Sequence, residues 1–107
     1  MLEGLLQKLP AAAESGLFLR LKGAVQGMGF RPFVYRLAAE LSLKGWVRNS
    51  GGAIELLVEG RAENVSRFLK RLEAELPPYS GIAEYEGEWS AVSGKKGFEI
   101  APSPELP

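Results

Sequence analysis

Gly23-Ala24-Val25-Gln26-Gly27-Met28-Gly29-Phe30-Arg31-Pro32-Phe33 joins two different periodicities, and the fold turns on how it is read. Upstream, Leu17, Leu19, Leu21 and Val25 alternate with Arg20 and Lys22, the period of two expected of a strand with one buried face. Downstream, Phe33, Leu37 and Leu41 recur every fourth residue with Val34 and Ala38 beside them, which predicts an amphipathic helix to about Leu43. The glycines between them bring backbone amides within reach of a ligand, and a helix N-terminus leaves its first N–H groups unpaired and pointing outward. A phosphate cradle is therefore expected from the amides of Gln26, Gly27, Met28, Gly29, Phe30 and Arg31, with the Arg31 guanidinium as a planar fork for two oxygens. Pro32 is expected as the first helical residue, with Arg31 an extended cap before it. A tight strand-to-helix turn with no ligand accounts for the glycine spacing on its own.

Outward from this stretch, Gly45-Trp46-Val47-Arg48 reads as a short strand ended by the turn residues Asn49-Ser50-Gly51-Gly52. Ile54, Leu56 and Val58 alternate along a third strand that closes at Gly60. Val65, Phe68, Leu69, Leu72 and Leu76 form the cleanest helical stripe, stopped by Pro77-Pro78, with Glu63/Arg67 and Arg71/Glu75 at ion-pair spacing. A strand from about Gly81 to Trp89 and a short one at Phe98 to Ile100 complete the run. The order predicts an α+β, ferredoxin-like (βαββαβ) sandwich: an antiparallel sheet with two helices on one face. Residues 1–16, with Leu2, Leu5, Leu6 and Leu9 at helical spacing before Pro10, read as an N-terminal extension, either a short helix or a disordered lead-in. Residues 17–101 read as the domain and residues 102–107 as a linker-like tail.

The composition mostly excludes. Thirteen basic and thirteen acidic residues balance, so neither a nucleic-acid partner nor a polyanion is suggested, and any anion site must be local. The chain has no cysteine and no histidine, which removes thiolate nucleophiles, phosphohistidine chemistry, a Ser-His-Asp triad and histidine metal sites. Aspartate is absent too, and the glutamates fall on strand exteriors and helix faces, so no metal site or other cofactor is expected. No apolar run approaches the roughly 18 residues of a membrane span, and no signal-peptide plan is present at the N-terminus; a cytoplasmic location is the default expectation.

Gly23-x-Val25-Gln26-Gly27-x-Gly29-Phe30-Arg31, followed by Gly45-Trp46-Val47-x-Asn49 and then Gly60, resembles the acylphosphatase family over about residues 17 to 101. The resemblance implies that Arg31 binds the phosphate of an acyl phosphate, that Asn49 positions the attacking water, and that the amides from Gln26 to Arg31 are the cradle. Gly29-Phe30-Arg31-Pro32-Phe33-Val34-Tyr35, the Pro77-Pro78 pair before Ile82, and Phe98-Glu99-Ile100-Ala101-Pro102-Ser103 are similar to the N-terminal domain of HypF-type carbamoyltransferases of [NiFe]-hydrogenase maturation. That similarity implies carbamoyl phosphate as substrate, further domains of the same polypeptide and a hydrogenase maturation partner. Met28, Tyr79-Ser80-Gly81 and the first sixteen residues depart from the pattern. The alternatives are a free-standing acylphosphatase and a non-catalytic anion-binding regulatory domain of the same fold, which has no need of Asn49. The chemistry suits the enzyme: an acyl phosphate is already activated, so its hydrolysis asks for positioning and charge stabilisation more than for a strong nucleophile.

Overall fold

A computed structural model describes residues 2–25, 29–78 and 80–103. Its centre is β1 (Glu14–Ala24), whose odd-numbered leucines, Leu17, Leu19 and Leu21, are completely buried. β1 pairs antiparallel with β3 (Ala53–Arg61) on one side and with β4 (Gly81–Ser90) on the other. β2 (Lys44–Ser50) forms a hairpin with β3 through the two-residue turn Gly51-Gly52, and the sheet order is β4-β1-β3-β2-β5. The fifth strand, β5 (Phe98–Ile100), runs parallel to β2, so the expected antiparallel sheet is a mixed one at this edge.

The two predicted helices, α2 (Phe30–Glu40) and α3 (Ala62–Ala74), cover one face of the sheet. Phe30, Phe33, Val34, Leu37 and Ala38 of α2 and Val65, Phe68, Leu69 and Leu72 of α3 pack on Leu17, Leu19, Leu21, Ile54, Leu56 and Val58. A core of this kind supplies most of the stabilisation, at about 25 cal/mol per Å² of apolar surface removed from water. The expected Arg71–Glu75 pair is present at 2.7 Å, but Glu63 pairs with Arg61 instead of Arg67.

From residue 2 onward the N-terminal segment packs on the domain. A four-residue helix, α1 (Glu3–Leu6), buries Leu5 against the helix-covered face of β4, while Leu2 before it is buried beside α3, its N–H donating to the Glu73 carboxylate at 2.9 Å. The backbone oxygen of Leu5 accepts the Trp89 indole N–H at 2.9 Å, and Leu5 lies over Gly87, where a Cβ would come within 2.7 Å of its side chain. An open, mainly apolar cleft of about 340 Å³ lies between α1 and α3, lined by Leu2, Leu6, Leu69 and Ala74 among others.

Two sequence expectations need correction. Arg31 is not an extended cap, because the cap is Gly29 and Arg31 is the second helical residue, with Pro32 third. The first helical N–H to find a partner is that of Phe33, bonded to the Gly29 oxygen at 3.0 Å, so proline at the third position costs no hydrogen bond. Asn49 and Ser50 are not turn residues but the last two of β2, opposite Ile54 and Ala53.

Candidate functional site

Cross-strand pairing brings the two motifs to one end of the sheet. Leu21 of β1 stands opposite Ile54 of β3, and Ile54 stands opposite Asn49 of β2. Residues in one such row share a face, and Leu21 and Ile54 are buried under the helices, so the Asn49 side chain projects to the helix-covered face. The same row ends beside the exit of β1 toward α2. The N-terminal turn of α2 and Asn49 therefore sit over the same end and face.

Gly23 shapes the exit. The β1–β4 register shifts between Lys22 and Gly23, a bulge that bends the strand and re-aims the chain as it leaves the sheet. Gly23 has φ +128°, and a Cβ there would lie 2.6 Å from the Ala83 amide nitrogen and 2.7 Å from the Gly81 oxygen. Gly29 is required for a different reason: open space surrounds its missing Cβ, but its φ of +104° is one that side-chain-bearing residues rarely take. Of the expected cradle, Gln26, Gly27 and Met28 lie outside the described residues; Gly29, Phe30 and Arg31 open α2. The first-turn amides of α2 have no partner within the helix.

Two contacts fix the roll of α2. The Tyr35 ring meets Phe98 of β5 edge-on at 6.1 Å, and the Glu40 carboxylate accepts Arg71 of α3 at 2.9 Å. Arg31 is one turn before Tyr35, so it occupies the flank that looks toward β2 and β5 rather than toward α3. That is the side on which Asn49 stands. Arg31 is half-buried, and among the described residues no carboxylate pairs with it. The Asn49 carboxamide oxygen is buried and accepts no hydrogen bond among the described residues. A buried acceptor without a donor is rare enough to ask for an explanation, and an ordered water or a bound ligand supplies one. No group of three or more metal-ligating side chains gathers anywhere among the described residues. The candidate site that these described residues offer is the first-turn amides of α2, the Arg31 guanidinium and the Asn49 carboxamide, a set suited to holding a phosphoryl group and a water.

The acylphosphatase family profile matches residues 17–100, nearly the whole of this architecture and both motifs. The chain belongs to the acylphosphatase family. The acylphosphatase of Moorella thermoacetica is 42% identical over 84 residues, 78% of this chain and 89% of that protein. The probable carbamoyltransferase HypF of Methanocaldococcus jannaschii is 46% identical over 81 residues, 76% of this chain. Among solved structures, full-length HypF in its phosphate- and nucleotide-bound form superposes with a TM-score of 0.79 at 30% identity, covering 85% of this chain. This acylphosphatase domain spans 10% of the archaeal HypF and 12% of the solved HypF chain.

Other parts of the domain escaped the sequence reading. Trp46 is half-buried on the helix-free face, where its ring meets Phe18 edge-on at 6.2 Å and carries the Arg48 guanidinium 4.5 Å from its centroid. The alternation of Trp46 and Arg48 with Val47 and Asn49 was the available signal. Glu59 is buried at the opposite end, and nothing in its sequence context announces that.

Proposed function

We propose that this acylphosphatase domain hydrolyses acyl phosphates by direct attack of a water held at Asn49, with the phosphoryl group bound by Arg31 and the amides of residues 26–31. The observation that carries the reading is the orphaned Asn49 oxygen, buried on the same face and at the same sheet end as the first turn of α2. The water oxygen attacks phosphorus, the bond from phosphorus to the acyl oxygen breaks, and a carboxylate leaves. The water proton passes to a phosphate oxygen of the substrate. Arg31 and the amides stabilise charge on the equatorial oxygens, and no enzyme-bound covalent intermediate is involved.

We further propose carbamoyl phosphate as the physiological substrate, with residues 17–101 acting as the first domain of a HypF-type carbamoyltransferase in the cytoplasm, releasing phosphate and passing carbamate to other domains of the polypeptide. The support is the Pro32-Phe33-Val34-Tyr35 continuation of the arginine motif together with the likeness to the archaeal HypF. A free-standing acylphosphatase is the second reading, supported by the match across 89% of the Moorella enzyme.

Phosphate release from carbamoyl, acetyl and benzoyl phosphate, each with and without a chelator, tests both. Metal-independent release with kcat/KM for carbamoyl phosphate at or above that for benzoyl phosphate is expected. A strong aromatic preference favours the free-standing reading, and absence of turnover on all three sinks the enzyme. Inorganic phosphate at 100 times its Kd should raise stability by about 2.7 kcal/mol if the cradle binds it only in the native state. An unchanged melting temperature at constant ionic strength counts against the cradle.

A further inference from the structure

We propose that the Arg48–Glu55 ion pair on the helix-free face is a positioning device for Asn49, an inference that rests on the role of Asn49 given above. Arg48 precedes Asn49 in β2 and stands directly opposite Glu55, just as Asn49 stands opposite Ile54. Its Nε and Nη2 both donate to the same Glu55 oxygen, at 3.1 and 2.9 Å. Both side chains are largely covered, with 31% and 14% of their surface exposed, so solvent screens the pair less than an ordinary surface bridge. The guanidinium also lies over the Trp46 ring, and that ring is held in turn by Phe18 of β1. The clamp therefore ties the end of β2 to β3 and, through Trp46, to the centre of the sheet.

Asn49 needs such a tie. On its outer side β2 is paired only as far as Val47, which stands opposite Ile100 and whose oxygen accepts the Ala101 amide at 2.8 Å. Beyond that point β3 is the only strand partner among the described residues, and one further row, Ser50 opposite Ala53, separates Asn49 from a Gly-Gly turn. Glycine-rich hairpin ends fray readily because the turn gains little from being ordered. The Asn49 oxygen makes no bond of its own among the described residues to hold the side chain. Its placement is inherited from the backbone, and the backbone there is held by the pair one row back. Since a displacement of about 1 Å at a reacting group is enough to cost about 10²-fold, slack at this end reads out in turnover.

Carbamoyl phosphate turnover by the 107-residue chain tests this, with phosphate affinity measured in parallel. Glu55→Ala is expected to lower kcat by about tenfold while leaving the dissociation constant of inorganic phosphate within about twofold. Glu55→Gln keeps the shape and an accepting oxygen; it should fall between wild type and Glu55→Ala, and it serves if the alanine variant does not fold. The deciding measurement is the same change made on an Asn49→Ala background. There Glu55→Ala should cost no further turnover, because the group it positions is gone. A tenfold loss in both backgrounds, or an undiminished kcat in the single variants, overturns the positioning role. Wild-type kcat in Asn49→Ala alone is a separate result: it removes the role of Asn49 itself, and the inference with it.

Discussion

At one end of this sheet a buried carboxylate is served by three donors; at the other a buried carboxamide oxygen has none among the described residues. Glu59 accepts the Ser93 hydroxyl at 2.6 Å, the Ser93 amide at 2.8 Å and the Lys95 amide at 3.3 Å, pinning the segment that leads to β5 across the helix-free face. Asn49 lies five residues along the β2–β3 ladder from that point, about 17 Å away, with its oxygen buried and unanswered. Glu59 is a buried charged group, whereas Asn49 is a half-buried neutral one whose side-chain oxygen is nevertheless covered. On the role proposed for Asn49, the difference separates a group whose partners are within the fold from one whose partner comes from outside. Satisfied buried polar groups stabilise; unsatisfied ones cost stability and persist where function holds them.

If that division is right, changes at the two ends move different quantities. The largest effect is expected at Arg31. Arg31→Ala should lower kcat/KM by about 10³-fold or more and abolish stabilisation by phosphate, while the melting temperature without ligand changes little, since no carboxylate pairs with the side chain among the described residues. A melting temperature that collapses with the activity would mean that Arg31 is structural and would blur the contrast.

Asn49→Ala comes next. Turnover should fall by about 10²-fold with phosphate affinity retained, the signature of an interaction made chiefly in the transition state. Stability should be unchanged or raised, because the substitution deletes a buried acceptor that has no donor among the described residues. Equal loss of phosphate affinity in the Arg31 and Asn49 variants would contradict the assigned division of labour.

The third test is at the opposite end and should show the reverse pattern. Glu59→Ala leaves the Ser93 and Lys95 donors without their acceptor, and a loss of about 1–3 kcal/mol is expected in chemical denaturation. The kcat of the folded fraction should be that of wild type. A fall in kcat at unchanged stability would show that this end of the sheet is coupled to the site.

How far the sequence spoke for each end depends on the range of the interactions. Both helices and all five strands were legible because each is written in a local period or bounded by turn residues, whereas the expected cradle residues 26–28 lie outside the described residues, and Arg31 and Asn49 stood out as candidates because the motif around each is compact. The bounds of α2 were not: the sequence weighs the ordinary preference of proline for the first position, whereas Gly29, free to take a left-handed φ, starts the helix two residues earlier. Nor was Asn49 as a strand residue, since its turn propensity is overridden by pairing with Ile54. The contacts that decide the comparison are long-range. Leu2 and Leu5 find β4 and α3 more than sixty residues away, and Glu59 finds Ser93 across 34, separations at which no periodicity reports.

The smallest effect expected is one of pH, and it distinguishes the ends without a substitution in the site. Burial pushes the Glu59 carboxyl up, but the hydrogen bonds from Ser93 and the Lys95 amide, with the Lys95 charge nearby, outweigh it and hold the group below its ordinary value. A carboxylate lowered on folding contributes stability that is complete above the unfolded-state pKa of about 4.3 and is lost as the pH falls through the lower native value. The stability difference between wild type and Glu59→Gln should accordingly be constant above about pH 5 and shrink as the pH falls below about 4. The comparison with glutamine cancels Glu3, Glu73 and Glu75, which are also held low, by the N-terminal amine for the first two and by Arg71 for the third. The site end has nothing corresponding: the chain lacks histidine, and an amide and a guanidinium keep one charge state throughout. Its kcat should stay nearly flat from about pH 6 to 8, the range in which a histidine would titrate. A stability difference that persists unchanged into acid would show that Glu59 binds Ser93 no better charged than neutral, whereas a sharp bell in kcat near neutrality would place a titrating group at the end of the sheet where none is expected.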